Sequence, residues 1–327
     1  MTSLRKEQSD CKITYYNTVS SKTVDWLWYP YIPYGKITIL QGDPGEGKST
    51  MMIQIAALIT NGEPMPDGSG QGIPGNVIYQ AAEDGIEDTV KPRLEAAGAD
   101  CGRIAFLEQS FENPIRLDDE RIEKAIEQMN AKLLVIDPLQ AYLGADSDMQ
   151  KTNSVRTVFG HLAKVAEQTG CAVVLIGHMN KSGHSKGIYR GLGSIDIAAL
   201  ARSILLVGRD RSNPYYRVLL QIKNNLAPEG KAFVFELNPE SGFSWIGQDE
   251  YEMEDLLVQK QKGDSKLDKA KEYLKLLLAG SDMPCAEIIE KMGTNGIGRR
   301  TVEQAKKEMG IVSYKQGDKW YWQLDEG

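Results

Sequence analysis

Short apolar runs alternate with longer amphipathic stretches over the first three-quarters of the chain. Runs that are apolar at every position are typical of parallel strands buried on both faces, and the amphipathic stretches between them are typical of covering helices. The pattern therefore predicts an α/β fold in which helices wrap a mainly parallel sheet. The predicted strands are Lys36 to Gln41, Val77 to Ala81, Ile104 to Glu108, Leu133 to Asp137, Ala172 to Gly177 and Ser203 to Val207.

The pattern changes after residue 210. Two alternating runs, Tyr216 to Lys223 and Ala232 to Leu237, flank a turn-forming Pro-Glu-Gly and predict an antiparallel hairpin at the edge of the sheet. We expect this core domain to cover residues 26–247, after an N-terminal segment of residues 1–25. Residues 248–266 are acidic and polar, as is typical of a linker.

Residues 267–327 predict a separate small module. Three helices are expected to precede a hairpin of alternating aromatic residues that turns at Gly317-Asp318. A helix, a helix-turn-helix and a β-hairpin wing together predict a winged helix. The expected elements are Leu267 to Ala279, Cys285 to Met292, Arg299 to Met309, Val312 to Lys315 and Trp320 to Leu324.

The strongest local motif lies between the first predicted strand and a helix-like run from Thr50 to Ile59. It reads Gly42-Asp43-Pro44-Gly45-Glu46-Gly47-Lys48-Ser49. Glycines at this spacing let consecutive N–H groups wrap around phosphates, and the next helix points its positive end at the same charge. Lys48 would reach the terminal phosphates and Ser49 would offer its hydroxyl to Mg²⁺. The motif predicts that residues 42–50 bind a nucleotide, with ATP and Mg²⁺ as the cofactors.

Carboxylates follow two other strands at the carboxyl edge of the sheet, where such sheets bind ligands. Asp137 ends a buried strand and is expected to hold Mg²⁺ through water, opposite Ser49, although it could instead cap the next turn. Glu83 is preferred over Asp84 as the residue that polarises the attacking water. The alternative is that both of these carboxylates cap the next helix, a role that suits Asp84 better.

A third strand ends at His178, which could hydrogen-bond the γ-phosphate and report its loss, although a lone histidine is usually structural. The residues that follow are rich in glycine and in basic side chains. Lys186 and Arg190, with Lys181 and Tyr189, have the composition of a contact with single-stranded nucleic acid, charge plus one stacking ring. A simple flexible lid has the same composition.

The composition of the 327 residues is ordinary for a globular protein, with 41% hydrophobic and 25% charged side chains. The apolar runs are too short for a membrane span, and the polar start predicts a cytoplasmic protein. Four scattered cysteines and three histidines predict reduced thiols and no structural metal. A net charge of -7 argues against general attraction to nucleic acid.

The C-terminal module carries 11 basic and 11 acidic residues from position 264 onward, so its basic side chains form a patch and not an excess. Arg299, Arg300, Lys306 and Lys307 lie on its third predicted helix. This patch predicts contact with duplex DNA. The alternative is a solvated helix face on a module that docks or oligomerises.

The order of these motifs resembles the RecA-like ATPases of the plasmid RepA helicase type. The resemblance covers roughly Trp26 to Phe243 and includes the Ala-Glu-Asp motif, the histidine and an Ala-Arg-Ser step at residues 201–203. It implies that Glu83 activates water, that His178 couples the γ-phosphate to nucleic-acid loops, and that Arg202 reaches the nucleotide of a neighbouring subunit. A finger in trans requires a homo-oligomer, such as a hexamer. An internal ion pair is the alternative role for Arg202.

One departure from the larger replicative helicases follows Lys223. Their pattern places an arginine two residues after this lysine, whereas the present chain has Asn225. We expect an oligomeric, Mg²⁺-dependent ATPase that acts on DNA as a helicase or translocase of a plasmid, phage or integrated element. A nucleotide-gated DNA-binding regulator without unwinding activity is the alternative, and a small-molecule kinase fits less well because no acceptor site can be assigned.

Overall fold

The computed structural model describes residues 13–70, 72–110, 112–143, 152–178, 199–210, 213–251, 256, 266–278, 282–317 and 319–323. Contacts divide the chain into two compact units, Met1–Leu256 and Leu257–Gly327, and each unit has its own hydrophobic core. None of the helices within the described ranges is both long and apolar enough to span a bilayer.

The first unit is built on a large sheet of nine strands among the described residues. These strands are β3 (Ile37–Gly42), β4 (Asn76–Ala81), β5 (Ile104–Ala105), β6 (Ala131–Asp137), β7 (Ala172–His178), β8 (Ser203–Arg209), β9 (Tyr216–Asn224), β10 (Ala232–Asn238) and β11 (Gly242–Asp249). Before them, β1 (Trp26–Trp28) and β2 (Ile32–Pro33) form a small antiparallel pair.

The strand order across the large sheet is β11-β10-β9-β8-β3-β7-β6-β4-β5. The six strands from β8 to β5 run parallel, and β9, β10 and β11 extend the sheet as an antiparallel edge. The prediction of a mainly parallel α/β sheet is therefore confirmed. The centre of this sheet is β3, which pairs with β7 on one side and with β8 on the other.

Two details of the sheet differ from the sequence pattern. The strand expected over Ile104 to Glu108 keeps only two residues, because β5 is the outermost strand and pairs with β4 alone. The structure also adds β11, which the sequence did not predict. Gly242 and Gly247 interrupt the alternation of Phe243 and Trp245, and glycine weakens a strand pattern.

The helices of the first unit follow the strands. They include α1 (Lys48–Asn61), α2 (Lys91–Ala96), α3 (Glu120–Met129) and α4 (Thr152–Thr169), and a π-helical turn, Ile86–Val90, runs directly into α2. The N-terminus of α3 is capped by Asp119, whose carboxylate accepts a hydrogen bond from the N–H of Arg121. At the end of α1, Gly62 adopts the left-handed conformation that terminates many helices.

The core beneath α1 joins the parallel strands to the antiparallel edge. Leu40, Val135 and Val207 from three strands contribute to this core, together with the buried side of α1. At the antiparallel edge the core is aromatic, with the ring centroid of Trp28 4.5 Å from that of Tyr31 and 5.2 Å from that of Phe233. Such pairs add stability beyond their buried area, so the edge strands are firmly attached to the sheet.

The second unit consists of three helices and a small antiparallel sheet within the described residues. Its elements are α5 (Lys266–Leu278), β12 (Met283–Pro284), α6 (Cys285–Thr294), α7 (Arg299–Glu308), β13 (Val312–Gln316) and β14 (Lys319–Gln323). The last two strands form a hairpin, and β12 pairs with the outer side of β14. Side chains from all three helices enclose the core of the unit.

Trp322 anchors the hairpin to the three helices. Its side chain is 2% exposed and packs within the core of the unit, and the ammonium of Lys306 on α7 lies 4.6 Å from the centre of its ring. Trp320 lies two residues earlier, on the same side of β14, yet it is 56% exposed. The two tryptophans therefore differ in burial while sharing one strand.

We expect Trp322→Ala to destabilise the second unit by about 3–5 kcal/mol, because it removes a large buried ring and leaves a cavity. Trp320→Ala is the matched control and should change the stability by no more than about 0.5 kcal/mol. Hydrogen exchange of the full chain, followed peptide by peptide, measures both effects. Protection should fall in α5, α6 and α7 of the first variant while the large sheet keeps its protection. Equal protection in the two variants would contradict the anchoring role of Trp322.

Candidate functional site

The loop between β3 and α1 is closed on one side by neighbouring strands. Gly42 approaches β8 so closely that a Cβ there would lie 2.3 Å from the carbonyl oxygen of Val207. Gly47 has a φ of 84° and faces β10, where a Cβ would lie 2.3 Å from Cδ1 of Leu237. Gly42 requires glycine because of its close approach to a backbone carbonyl, and Gly47 requires it because of its positive φ. The two glycines thus fix the loop against the sheet.

The other side of the loop is open. A Cβ at Gly45 would meet no atom within 4 Å, and Asp43 and Pro44 are exposed. Helix α1 begins at Lys48, directly after the loop, so its first N–H groups point into the same space, with Ser49 and Thr50 half-buried in its first turn. An open loop of backbone N–H groups at a helix N-terminus fits a polyphosphate.

Lys48 is 4% exposed and its ammonium lies against the loop. The ammonium donates to the carbonyl oxygens of Gly42 and Asp43, at 2.9 and 2.8 Å. Burial lowers the pKa of Lys48, and the surrounding carboxylates, Asp137 first, act against that shift. The charge of this lysine is therefore held at the mouth of the loop, where a phosphate would accept its hydrogen bonds in place of the carbonyls.

Asp137, Ser49 and Tyr79 meet at the carboxyl edge of the sheet. The Tyr79 hydroxyl donates to Oδ2 of Asp137 at 3.1 Å and lies 3.4 Å from the carbonyl oxygen of Ser49. Burial raises the pKa of the Asp137 carboxyl, and hydrogen bonds from Ser49 and Tyr79 act against that rise. A hydroxyl and a carboxylate oxygen side by side are the ligands that Mg²⁺ prefers, so these residues fit the metal.

Tyr79 is a site residue that the sequence did not single out. In the sequence pattern it is only one apolar position of a predicted strand, although β4 lies beside β6 in the sheet and pairs Ala81 with Asp137. The ring is buried at 3% exposure, and burial raises the pKa of its hydroxyl well above the usual value. The signal in the sequence that could have identified Tyr79 was its place two residues before the end of a predicted strand.

Glu83 and Asp84 follow β4 but differ in their contacts. The carboxylate of Asp84 forms an ion pair with Arg93, 2.8 Å from Nη1 to Oδ2. No side chain caps the π-helical turn that follows, because Gly85 precedes it. Glu83 is exposed, and its charge acts on the pKa of Lys48. The structure thus brings Glu83 into the surroundings of the loop and commits Asp84 to an arginine.

His178 ends β7 in direct register with Gly42, the first glycine of the loop. The backbone of this histidine therefore borders the site. Its side chain lies outside the described residues, as do Lys186 and Arg190.

Arg202 and Lys223 lie at the end of the sheet where the parallel strands begin, opposite the end that carries the loop. The N–H of Arg202 donates to the carbonyl oxygen of Ile37, where β3 begins, whereas the loop follows the end of β3. At about 3.3 Å per residue, the length of β3 separates Arg202 from the loop by roughly 17 Å. The Lys223 ammonium donates to the Ala201 carbonyl at 2.9 Å. Neither cation is within reach of a phosphate held in the loop of the same chain.

Two other arginines, which the sequence pattern did not single out, lie beside the loop. Nε of Arg209 lies 3.4 Å, and Nε of Arg217 lies 3.1 Å, from Oε2 of Glu46, a loop residue. Arg209 ends β8 and Arg217 is near the start of β9, and these neighbouring strands bring them together. The available signal was an acidic residue within the loop motif, since a carboxylate beside a phosphate site needs a cation.

The basic residues of the second unit lie on α7 in different surroundings. Arg299 is exposed, with its Nε 3.9 Å from a carboxylate oxygen of Glu303. Lys306 is half-buried over Trp322 and donates to the hydroxyl of Ser313. The side chain of Arg300 lies outside the described residues.

Comparison with known proteins agrees with this geometry. The model of a family described as AAA domain (AAA_25) matches residues 11–184. This match includes the loop, Glu83, Asp137 and His178, and stops before β8.

Several curated relatives are DNA repair proteins named RadA. The chain is 26% identical to RadA of Bacillus subtilis (strain 168) over 208 residues, which is 63% of this chain and 40% of the relative. It is 28% identical to RadA of Brucella abortus (strain 2308) over 211 residues, with 62% and 40% covered. The chain thus spans about 40% of the length of these relatives.

A solved structure of an ATPase domain shares the fold. It aligns with a TM-score of 0.51 at 13% identity, covering 65% of this chain and 85% of that domain. At this identity the likeness supports the RecA-like fold alone.

We expect Tyr79→Phe to move the acidic limb of the pH dependence of Mg²⁺-supported nucleotide binding to higher pH by about one unit. The hydrogen bond from Tyr79 lowers the pKa of Asp137, so its loss raises that pKa further, and the carboxylate needed for the metal is lost at a higher pH. A hydrogen bond to a charged group is worth about 1.5 kcal/mol, and about 1.36 kcal/mol corresponds to one pKa unit.

The matched control is Tyr31→Phe, which removes a buried hydroxyl that donates to the Lys231 carbonyl at 2.7 Å, away from Asp137. Mg²⁺ titrations of nucleotide binding between about pH 4.5 and 8 measure the limb. An identical limb in both variants would contradict the role assigned to Tyr79.

Proposed function

Because the chain belongs to the AAA domain family, we propose that it is an ATPase that binds ATP with Mg²⁺, hydrolyses it and acts on DNA. The match confirms the RecA-like P-loop resemblance drawn from the order of the motifs. One observation carries the proposal. A phosphate-binding loop, its lysine and an adjacent pair of oxygen ligands, Ser49 and Asp137, meet at one edge of the sheet.

The position of each residue in the site indicates its role in hydrolysis. Gly42 to Gly47 hold the phosphates through backbone N–H groups, and Lys48 moves its hydrogen bonds from the loop carbonyls to the phosphate oxygens. Ser49 would hold Mg²⁺ directly and Asp137 would hold it through water, and the metal would supply positive charge to the phosphates. Tyr79 keeps the Asp137 carboxylate in position and ionised.

Glu83 is the residue we assign to the attacking water, because it is exposed beside the loop and its charge acts on the pKa of Lys48. A carboxylate there would orient the water and accept its proton. His178 borders Gly42 and is the residue we assign to detect the γ-phosphate.

Two further observations support DNA as a partner and the assembly of a homo-oligomer. The RadA relatives are named DNA repair proteins, which supports DNA as the partner. Arg202 lies where the parallel strands begin and is too far from the loop of its own chain. A phosphate contact by this arginine would therefore be made in a neighbouring subunit. We therefore propose a homo-oligomer, such as a hexamer, that works as a helicase or translocase. We place the protein in the cytoplasm, as the polar start of the chain predicts.

The second unit is proposed to be a winged helix that contacts duplex DNA. Three helices and a hairpin in the order α5, β12, α6, α7, β13 and β14 support that description. Arg299 and Lys307 are exposed cations of α7, whereas Lys306 is engaged with Trp322. Single-stranded DNA would contact the first unit, with Lys186 and Arg190 as the proposed residues.

A nucleotide-gated DNA-binding regulator without unwinding activity is the second candidate. It is favoured by the absence of an arginine two residues after Lys223, where Asn225 stands, and by the tie of the Lys223 ammonium to Ala201. Such a regulator would hydrolyse ATP slowly and would not move along DNA.

Steady-state ATP hydrolysis without DNA, with single-stranded DNA and with duplex distinguishes the two candidates. We expect single strands to stimulate turnover several-fold, and Lys48→Ala to lower kcat/KM by about 100-fold or more, because it removes a preorganised cation from the phosphates. Lys36→Ala is the matched control, since Lys36 lies at the other end of β3 and pairs with Glu167. Slow turnover indifferent to DNA favours the regulator, and activity that survives in Lys48→Ala contradicts the proposed site.

Mixing two inactive variants tests the position of Arg202. We expect Arg202→Ala to lose at least about 100-fold in kcat, and to regain activity when mixed with Lys48→Ala, whose intact Arg202 completes the neighbouring site. The control mixture, Glu83→Gln with Lys48→Ala, damages one and the same site and should stay inactive. Normal hydrolysis by Arg202→Ala in a stable oligomer would refute the assignment.

A further inference from the structure

Two arginines face each other across β8 and β9 at the edge that carries the nucleotide loop. The register of this antiparallel pair sets Arg209 directly opposite Arg217. Alternate residues of a strand lie on the same face of the sheet. Arg209 therefore shares a face with Leu205 and Val207 of β8, and Arg217 shares it with Leu219 of β9; these three apolar residues belong to the core beneath α1. Both guanidinium groups therefore lie on the side of the sheet where the loop runs.

Like charges directly opposite each other destabilise a strand pair, so this arrangement needs an anion. Glu46 of the loop supplies one, with Oε2 3.1 Å from Nε of Arg217 and 3.4 Å from Nε of Arg209. One carboxylate neutralises one of the two guanidinium charges. Taken by itself, the group of Glu46, Arg209 and Arg217 keeps a net positive charge beside the loop.

The two arginines differ in how firmly they are held. The side chain of Arg217 is 8% exposed, and its Nη1 donates to the carbonyl oxygens of Pro214 and Tyr216 at 2.8 and 2.9 Å. Burial lowers the pKa of Arg217, and the charge of Arg209 adds to that shift. The side chain of Arg209 is 52% exposed and makes the longer contact with Glu46. Arg217 is thus fixed in place, and Arg209 is the side chain with room to move.

The distance from Arg209 to the phosphate site is short. The Val207 carbonyl abuts Gly42, the first glycine of the loop, and Arg209 follows two residues later on the same strand face. Two residues of strand span about 7 Å, which is within the reach of an extended arginine side chain. Glu46 itself would repel a phosphate. A phosphate in the loop would therefore compete with Glu46 for the guanidinium and offer it a bidentate contact.

We propose that Arg209 is a phosphate ligand within its own subunit, and that Glu46 holds it beside the loop until a nucleotide binds. The guanidinium leaves the Glu46 carboxylate for the polyphosphate, while Arg217 stays and continues to neutralise Glu46. This inference rests on the proposed function, because it concerns the nucleotide of the same site. It assigns a role to Arg209 that is separate from that of Arg202, which lies at the other edge of the sheet.

Equilibrium titration of the full chain with ATP and with ADP, in the presence of Mg²⁺, tests the assignment. We expect Arg209→Ala to weaken ATP binding by about tenfold or more, as for the loss of a charge-assisted hydrogen bond, and Arg209→Lys to recover part of it. Comparing the loss of affinity for ATP with the loss for ADP identifies which phosphate Arg209 contacts. Arg103→Ala is the control for net charge, since Arg103 is a partly exposed arginine paired with Asp100 away from the loop.

A double-mutant cycle with Glu46→Gln separates a direct contact from a structural one. If Arg209 binds phosphate, Arg209→Ala still weakens ATP binding in the Glu46→Gln background, and Glu46→Gln alone tightens it by removing a repulsive charge. If Arg209 serves only to neutralise Glu46, its removal has no effect in that background, and the proposal is overturned.

Lys48→Ala keeps this test separate from the proposed function. Weak binding in Lys48→Ala together with normal ATP affinity in Arg209→Ala rejects the role of Arg209 and leaves the nucleotide site standing. Unchanged ATP affinity in Lys48→Ala would reject the nucleotide site itself. Thermal unfolding of each variant shows whether a loss of affinity comes from a loss of folded protein, and Arg209→Lys keeps the proposal testable if Arg209→Ala unfolds.

Discussion

The shape of the nucleotide loop depends on two steric contacts made by its glycines. Gly42 lies against the Val207 carbonyl of β8, and Gly47 lies against the side chain of Leu237 on β10. Both contacts come from strands that follow the loop by a long stretch of sequence. The direction of the loop N–H groups, and with it the start of α1 at Lys48, therefore depends on the packing of β8 and β10 as much as on the loop motif.

The sheet separates two kinds of chemistry by its two edges. The loop, Ser49 and Asp137 lie where the parallel strands end, and Arg202 lies where they begin. Because all parallel strands share one direction, a residue before a strand and a residue after it are kept a full strand length apart. In the proposed oligomer, this separation lets one subunit present its loop while the other edge reaches the next subunit.

The sequence was most informative where a single local segment determines the structure. The loop motif and the apolar runs of β3, β6 and β7 are such segments, and from them the mainly parallel sheet could be predicted. Tyr79, Arg209 and Arg217 escaped prediction because their roles arise from pairing between strands. Tyr79 matters because β4 lies beside β6, and the two arginines meet only in the register of β8 with β9. A single sequence does not reveal that register. The strand β11 was not predicted because its glycines weaken the strand pattern.

The central place of β3 also has a consequence for how the first unit folds. Its partners, β7 and β8, follow it by more than 100 residues, so neither side of β3 can form its ladder early. Contacts between such distant segments require the closure of long chain loops, which slows folding. The strand that carries the nucleotide loop is therefore among the last parts of the sheet to be completed during synthesis, and an unfinished chain lacks the support that gives the loop its shape.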